Sequence, residues 1–296
     1  PGLNRDPSRD ARWSRLVVHE EALYVYWHED TDAERRTIRV ARYNGDDASP
    51  VWSYIDGTIS EGLRHAGPDT SAEYATLVSF DGSLYAAWRS YEGAPYQVRA
   101  SRYDESPAVS TWTPVDHGAT GINRDPTRDA YYPKLHVHDG RLYAAWYERN
   151  GTARQLRVAV FSGADATPSW DLVDGGGAYG LNYGKANGAR GPQLLSHAGV
   201  MHAVWHERMP SGASQVRVAR YNGNDATPAW SFVDGASGRG LNRGSGTRAW
   251  WARAASLGDR LYVAWSENDA GAYRIRVAAG SQLSGAAPVW RAAAAT

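Results

Sequence analysis

Short runs along the chain alternate with a period of two. Leu23, Val25 and Trp27 alternate with Tyr24, Tyr26 and His28, and Ile38 and Val40 alternate with Arg39 and Ala41. A period of two is that of a β-strand, whose successive side chains point to opposite faces. Here both sets are largely apolar or aromatic, which predicts sheets covered on both faces. The first run recurs as Leu84–Trp88, Leu142–Trp146, Met201–Trp205 and Leu261–Trp265, with tryptophans 58 to 61 residues apart. Trp52, Trp112, Trp170, Trp230 and Trp290 keep the same beat. So do Gly2-Leu3-Asn4, Gly62-Leu63-Arg64, Gly121-Ile122-Asn123, Gly180-Leu181-Asn182 and Gly240-Leu241-Asn242. Three markers in phase divide the chain into five copies of one unit.

Each copy reads as four strands. In the first these are Arg15 to His19, Leu23 to His28, Thr37 to Tyr43 and Val51 to Asp56. His19-Glu20-Glu21 makes the first turn, and His138-Asp139-Gly140 of the third copy is the better turn sequence. A four-stranded antiparallel unit repeated about an axis leaves only short, protected edges. The expected fold is therefore all-β: a single domain over 1–296, a five-bladed β-propeller with four antiparallel strands per blade and blades at about 1–57, 58–118, 119–176, 177–235 and 236–296. The last fourth strand falls near Val289 to Arg291, so closure is expected from packing of blade five on blade one.

Composition narrows the function. Lys and Arg total 32, as do Asp and Glu, and no basic run stands out. Phosphate-driven nucleic-acid binding is not expected. With no cysteine, disulfides, thiolate metal sites and a cysteine nucleophile are excluded. No apolar run reaches the roughly 20 residues of a membrane helix, so membrane insertion is not expected. The chain starts at Pro1 with no basic, apolar leader: either it was never exported or its signal has been removed. There is no phosphate loop, Gly-x-Ser-x-Gly elbow or His-Glu-x-x-His run, and no cofactor is expected.

Residues present in every copy are expected to build the blade. Arg39, Arg99, Arg157, Arg217 and Arg276 share one position on strand three. Glu29, Glu148, Glu207 and Glu267 follow the strand-two tryptophan, where the second copy has Ser90. A buried arginine needs a partner, which predicts intrablade Arg–Glu pairs. The two tryptophan series are expected in the core, and the Asn of Gly-Leu-Asn is expected to fix its own turn.

Function is sought where the copies differ. Just before strand one they read Arg12-Trp13, Glu73-Tyr74, Tyr131-Tyr132, Arg190-Gly191 and Trp250-Trp251, with Arg15, Lys134, Gln193 and Arg253 close by. Strand one usually lines a propeller's channel, so these residues are expected at its mouth. The connection there is long, Gly57 to Glu73 in the second copy, and that between strands two and three varies, from Asp30–Arg36 to Arg208–Ser214. Aromatic planes beside Arg, Glu, Lys and Gln suit a sugar, and also an aromatic or anionic small molecule. Plugging the channel is the alternative. His19, His138 and His197 share the end of strand one; as a metal site they are a minor reading beside hydrogen-bonded turn residues. His28 and His206 are equivalent in strand two and read as interblade packing. Glu73 is the one acid of the divergent set, with Asp10 and Asp129 near it in unit position, so a catalytic pair is open. The turn Asn222–Trp230 is only faintly like the sialidase Asp box.

The segments 121–135, 140–148 and 156–159 together resemble a repeat of secreted bacterial surface proteins, and the resemblance covers all five copies. It implies a propeller in a secreted or cell-surface setting and brings no activity. Propeller lectins and sialidases are similar in architecture alone. The expectation is a carbohydrate-binding, lectin-like module. An enzyme with one axial site and a protein-interaction scaffold are the alternatives. A symmetric lectin repeats its sugar contacts, whereas an enzyme breaks symmetry at the axis.

Overall fold

A computed structural model of the chain describes residues 2–31, 35–57, 62–64, 70–105, 111–163, 167–175, 177–235, 238–269, 271–281, 283 and 288–292. Parts of the variable connections, 32–34, 58–61 and 65–69, lie outside the described residues. Among the described residues, twenty strands run in five sets of four. The first set is β1 (Ala11–His19), β2 (Ala22–Asp30), β3 (Arg36–Tyr43) and β4 (Trp52–Tyr54). The second is β5 (Ser71–Phe80), β6 (Ser83–Tyr91), β7 (Gln97–Asp104) and β8 (Thr111–Pro114). Next come β9 (Ala130–His138), β10 (Arg141–Asn150), β11 (Ala153–Phe161) and β12 (Trp170–Leu172). The fourth set is β13 (Gly188–His197), β14 (Val200–Arg208), β15 (Ser214–Tyr221) and β16 (Trp230–Phe232). The last is β17 (Arg248–Leu257), β18 (Arg260–Asp269), β19 (Ala272–Ser281) and β20 (Val289–Ala292). Neighbours pair antiparallel in the order β1-β2-β3-β4 and β5-β6-β7-β8, and likewise through β13–β16 and β17–β20. The residues form two compact units, 1–142 with 161–170, and 143–160 with 171–296.

In four blades the first hairpin is closed by two residues of positive φ: Glu20-Glu21, Asp81-Gly82, Asp139-Gly140 and Ala198-Gly199. That is the tight turn whose twist matches the strands it joins. The strand-two tryptophans Trp27, Trp88, Trp146, Trp205 and Trp265 are buried, as the alternation predicts.

The repeated polar residues work differently from the expectation in two respects. First, Arg39 does pair with Glu29 (3.1 Å), but the partner common to four blades is the aspartate that follows strand four. Arg39 meets Asp56 at 3.0 Å, Arg99 meets Asp116 at 3.7 Å, Arg157 meets Asp174 at 3.1 Å and Arg217 meets Asp234 at 3.5 Å. The glutamate instead accepts the tryptophan indole N–H two residues before it, at 3.2 Å in Glu29 and 3.0 Å in Glu207. It also takes loop amides: Glu207 accepts from Tyr183 N and Gly184 N, both at 3.0 Å. A carboxylate can satisfy several donors at once, so one Glu ties strand two to the loop that feeds strand one.

Second, the Asn of Gly-Leu-Asn reaches beyond its own turn. Asn182 Oδ1 accepts from Leu156 N (2.8 Å), and Asn242 Oδ1 from Val216 N (2.9 Å), each on strand three of the preceding blade. The glycine of this motif is obligatory there. At Gly240, with φ +62°, a Cβ would lie 2.1 Å from Val216 O. The strand-four tryptophans add a second tie: Trp112 donates to Ile55 O and Trp230 to Val173 O, each at 2.8 Å and each on the previous blade. They are interblade staples, and most are half-buried.

Candidate functional site

Strand one begins earlier than the alternation predicts, at Ala11 in the first blade and Ser71 in the second. The divergent residues therefore lie within it. The reason is a β-bulge: pairing skips between Arg12 and Arg15, between Glu73 and Thr76, between Arg190 and Gln193, and between Trp250 and Arg253. The residue at the bulge has positive φ in all five copies: Trp13 (58°), Tyr74 (58°), Tyr132 (55°), Gly191 (59°) and Trp251 (51°). A bulge breaks the period of two and re-aims one side chain. Left-handed backbone on a bulky residue costs about 1–3 kcal/mol, so the blade frame must hold it.

In the first unit three bulge residues meet. Trp13 stacks on Tyr74, with ring centroids 5.5 Å apart, and Tyr74 packs on Tyr132 at 4.0 Å. His28 sits edge-on to Trp13 at 5.1 Å and accepts at Nε2 from Ala75 N (3.4 Å). Burial first, then the charges of Arg36, Arg15, Arg89 and Lys134, pushes His28 down to about 3, so it is neutral. Beside the rings runs an alternation of acids and guanidiniums. Arg12 bonds Asp10 (2.5 Å) and lies 3.9 Å from Asp30. Arg36 bonds Asp30 (3.2 Å) and Glu73 (3.0 Å), and Arg89 bonds the other oxygen of Glu73. Arg36 lies over Trp13 at 5.5 Å; Arg89 lies over Tyr74 at 4.8 Å, Tyr96 at 4.3 Å and Tyr131 at 5.3 Å. Tyr131 Oη donates to Asp129 at 3.0 Å. Arg15 is exposed and Lys134 half-buried, and both contribute through their charge on His28.

Arg36, Arg89, Asp30 and Tyr96 belong to this cluster and were not singled out from sequence. Arg89 had a signal: it follows the strand-two tryptophan, where the other copies have His28, Tyr147, His206 and Ser266.

In the second unit the same positions are arranged otherwise. Gln193 is a structural clamp: its Nε2 donates to Ala254 O and its Oε1 accepts from Ala254 N, both at 2.9 Å. Trp250 packs edge-on to His206 at 5.3 Å and Trp251 lies 6.5 Å from Trp250. Trp251 is 69% exposed, against 49% for Trp13. Gly191 has no ring to stack; a Cβ there would lie 3.4 Å from His206 Cε1. Arg190 pairs across the sheet with His206, and Arg253 Nη1 donates to Ala252 O at 2.9 Å.

Among the histidines at the end of strand one, His19 bonds Ser79 Oγ and His197 bonds Ser256 Oγ, each through Nδ1 at 2.8 Å. These bonds tie the first strands of neighbouring blades. Among the described residues no three His, Asp or Glu side chains gather as a metal site, His138 included.

No protein-family model matches the sequence, and no curated protein matches it either. Solved structures do. A glycoside hydrolase aligns with TM-score 0.50 at 11% identity, covering 93% of this chain and 88% of its own. A thermostable family-43 glycoside hydrolase aligns with TM-score 0.49 at 11% identity, over 99% and 96%. An endo-arabinase from Bacteroides thetaiotaomicron aligns with TM-score 0.46 at 14% identity, over 97% and 94%. At such identity the first of these alignments speaks for the fold alone, and the fold is a five-bladed β-propeller of four antiparallel strands per blade.

Proposed function

We propose that this propeller acts on carbohydrate at one asymmetric site, as a glycoside hydrolase, and not as a symmetric lectin. The observation that carries the reading is the alternation Asp10–Arg12–Asp30–Arg36–Glu73–Arg89 along the stacked rings of Trp13, Tyr74 and Tyr132. Glycosidic cleavage uses two carboxylates across one bond. Asp30 and Glu73 are held on one guanidinium, that of Arg36, beside an aromatic face on which a sugar can rest. Among the described residues no other blade repeats this set, as a multivalent lectin would require. A solved glycoside hydrolase with the same fold supports the choice.

A second reading, binding without turnover, is favoured by one feature: each oxygen of Glu73 is already engaged by an arginine. Reducing-end release from arabino-, xylo- and galacto-oligosaccharides, measured beside calorimetric binding, separates the two. Turnover is expected, and Glu73→Gln is expected to lower it by about a hundredfold or more with the melt largely retained. Binding with no release would select the second reading. Neither binding nor release would remove both.

A further inference from the structure

Among the described residues, His206 is the buried histidine with both ring nitrogens unpaired. Its side chain is buried at 3% exposure, yet neither ring nitrogen has a hydrogen-bond partner among the described residues. A buried polar group left unpaired costs free energy, and such exceptions call for a cause. Its equivalent, His28, has two things that His206 lacks: an amide donor at Nε2, and the ring of Trp13 over it. At His206 the covering residue is Gly191, and a Cβ at that position would meet His206 Cε1 at 3.4 Å and Nδ1 at 3.5 Å. A side chain at Gly191 would thus stand in van der Waals contact with an unpaired nitrogen. Its other neighbours have a common sign and shape. Arg190 stands directly across the strand pair, and the charges bearing on the imidazole are those of Arg190 and Arg253, both cationic. Trp250 walls one side, and Trp251 next to it is exposed.

We propose that His206, Arg190 and Arg253 form a subsite for the carboxylate of an acidic sugar, a uronate, whose ring lies against Trp250 and Trp251. A neutral imidazole presents one N–H, which can donate to a carboxylate oxygen; guanidiniums supply charge and further donors. The indole planes supply the apolar face of a pyranose. Burial first, then the two arginines, pushes His206 down to about 4, so the imidazole is neutral before the ligand arrives. The subsite deepens the carbohydrate reading but uses none of the acids assigned to cleavage.

Calorimetry on the full chain tests it, with galacturonate and glucuronate oligosaccharides, their neutral galactose and glucose counterparts, and acetate as the free-anion probe. The uronates are expected to bind about tenfold or more tightly than the neutral sugars. Gly191→Trp restores the residue type found in blades one and five and should remove that preference while keeping the melt. Arg253→Gln, at an exposed position, should reduce it. Equal affinity for acidic and neutral sugars would overturn the proposal, as would an unchanged preference in Gly191→Trp. Acetate competing as strongly as the oligosaccharide would overturn the sugar assignment. Turnover of neutral oligosaccharides should be untouched by Gly191→Trp. Loss of turnover in Glu73→Gln with the uronate preference intact separates this subsite from the cleavage site.

Discussion

The bulge on strand one is built alike in both units and filled in opposite ways. In the first, Trp13, Tyr74 and Tyr132 stack on one another and His28 is covered and bonded. In the second, Gly191 has no ring, Trp251 projects into solvent and both His206 nitrogens are unpaired among the described residues. The backbone does not register this difference. Its φ lies between 51° and 59° whether the residue is glycine, tyrosine or tryptophan. The left-handed conformation is imposed by the blade, and four copies hold a bulky residue in a state that suits glycine. The side chain at the bulge is therefore the variable that the frame leaves free. Filling it closes a site on itself, and emptying it leaves a buried imidazole without a bonding partner among the described residues.

The sharpest way to break this division of labour is to exchange core for rim. Trp205 is buried and its indole donates to Glu207, which also holds Tyr183 and Gly184. Trp205→Ala should cost about 3–5 kcal/mol through its cavity alone, read as a shift of the urea midpoint. Trp251→Ala, at the exposed bulge, should leave the midpoint within about 0.5 kcal/mol and weaken binding of acidic oligosaccharides instead. The reverse pattern would mean that frame and rim are inverted.

The frame was largely legible in the sequence, because four or all five copies repeat its residues. Strand two and its tryptophan follow from alternation and from Leu23–Trp27 recurring four times more. The partner of the buried arginines was not legible. The aspartate after strand four, as in Val173-Asp174 and Val233-Asp234, repeats as plainly as the glutamates do. Distance along the chain hid it: Arg217 and Asp234 are 17 residues apart and meet only because strand four folds back on strand three. The start of strand one was misplaced because a bulge breaks the alternation that marks a strand. At the candidate site, position identified Trp13, Tyr74 and Glu73 as exceptional. The acid–arginine alternation was not readable, since Arg36, Glu73 and Arg89 are joined only across two blades. The empty position at Gly191 was visible in the sequence, but its meaning needed His206 behind it.

Acid should act on both units through their neutral histidines. His28 is pushed down to about 3, and His136 and His206 to about 4, in each case chiefly by burial. The unfolded chain takes up these protons near the ordinary value of about 6.5. Below that pH it binds more protons than the folded chain, so stability is full above about 6.5 and falls as pH drops towards 3–4. Over its whole window each histidine contributes a loss of about 3–5 kcal/mol, His28 the largest. Asp234 acts with the opposite sign: burial raises it to about 6, so between the ordinary value 3.8 and about 6 the folded chain takes the proton first and gains as pH falls. Three histidines outweigh it. Urea midpoints are expected to fall from pH 7 to pH 4.5, and His206→Phe should flatten the fall. A bound uronate should flatten it too, because its carboxylate favours the protonated imidazole. A flat profile in the unmodified chain would show that these histidines are open to water.

The smallest effect is the most direct test of the contrast, because it converts the first unit into the second. Trp13→Gly removes the ring that stacks on Tyr74 at 5.5 Å, edges His28 at 5.1 Å and lies under Arg36 at 5.5 Å. Aromatic and cation–π contacts of a half-exposed residue contribute about 0.5–1.5 kcal/mol. Against that, glycine adopts the left-handed backbone at no steric cost, which returns a comparable amount. The melt should therefore move little. His28 should not stay where it is. With Trp13 gone, water reaches the imidazole and its burial, the leading cause of its depression, weakens. NMR titration is expected to find His28 of Trp13→Gly higher than in the unmodified chain. An unchanged His28 would mean that Tyr74 and the surrounding arginines, and not the ring at the bulge, keep it neutral. The filled and the empty bulge would then differ in access alone.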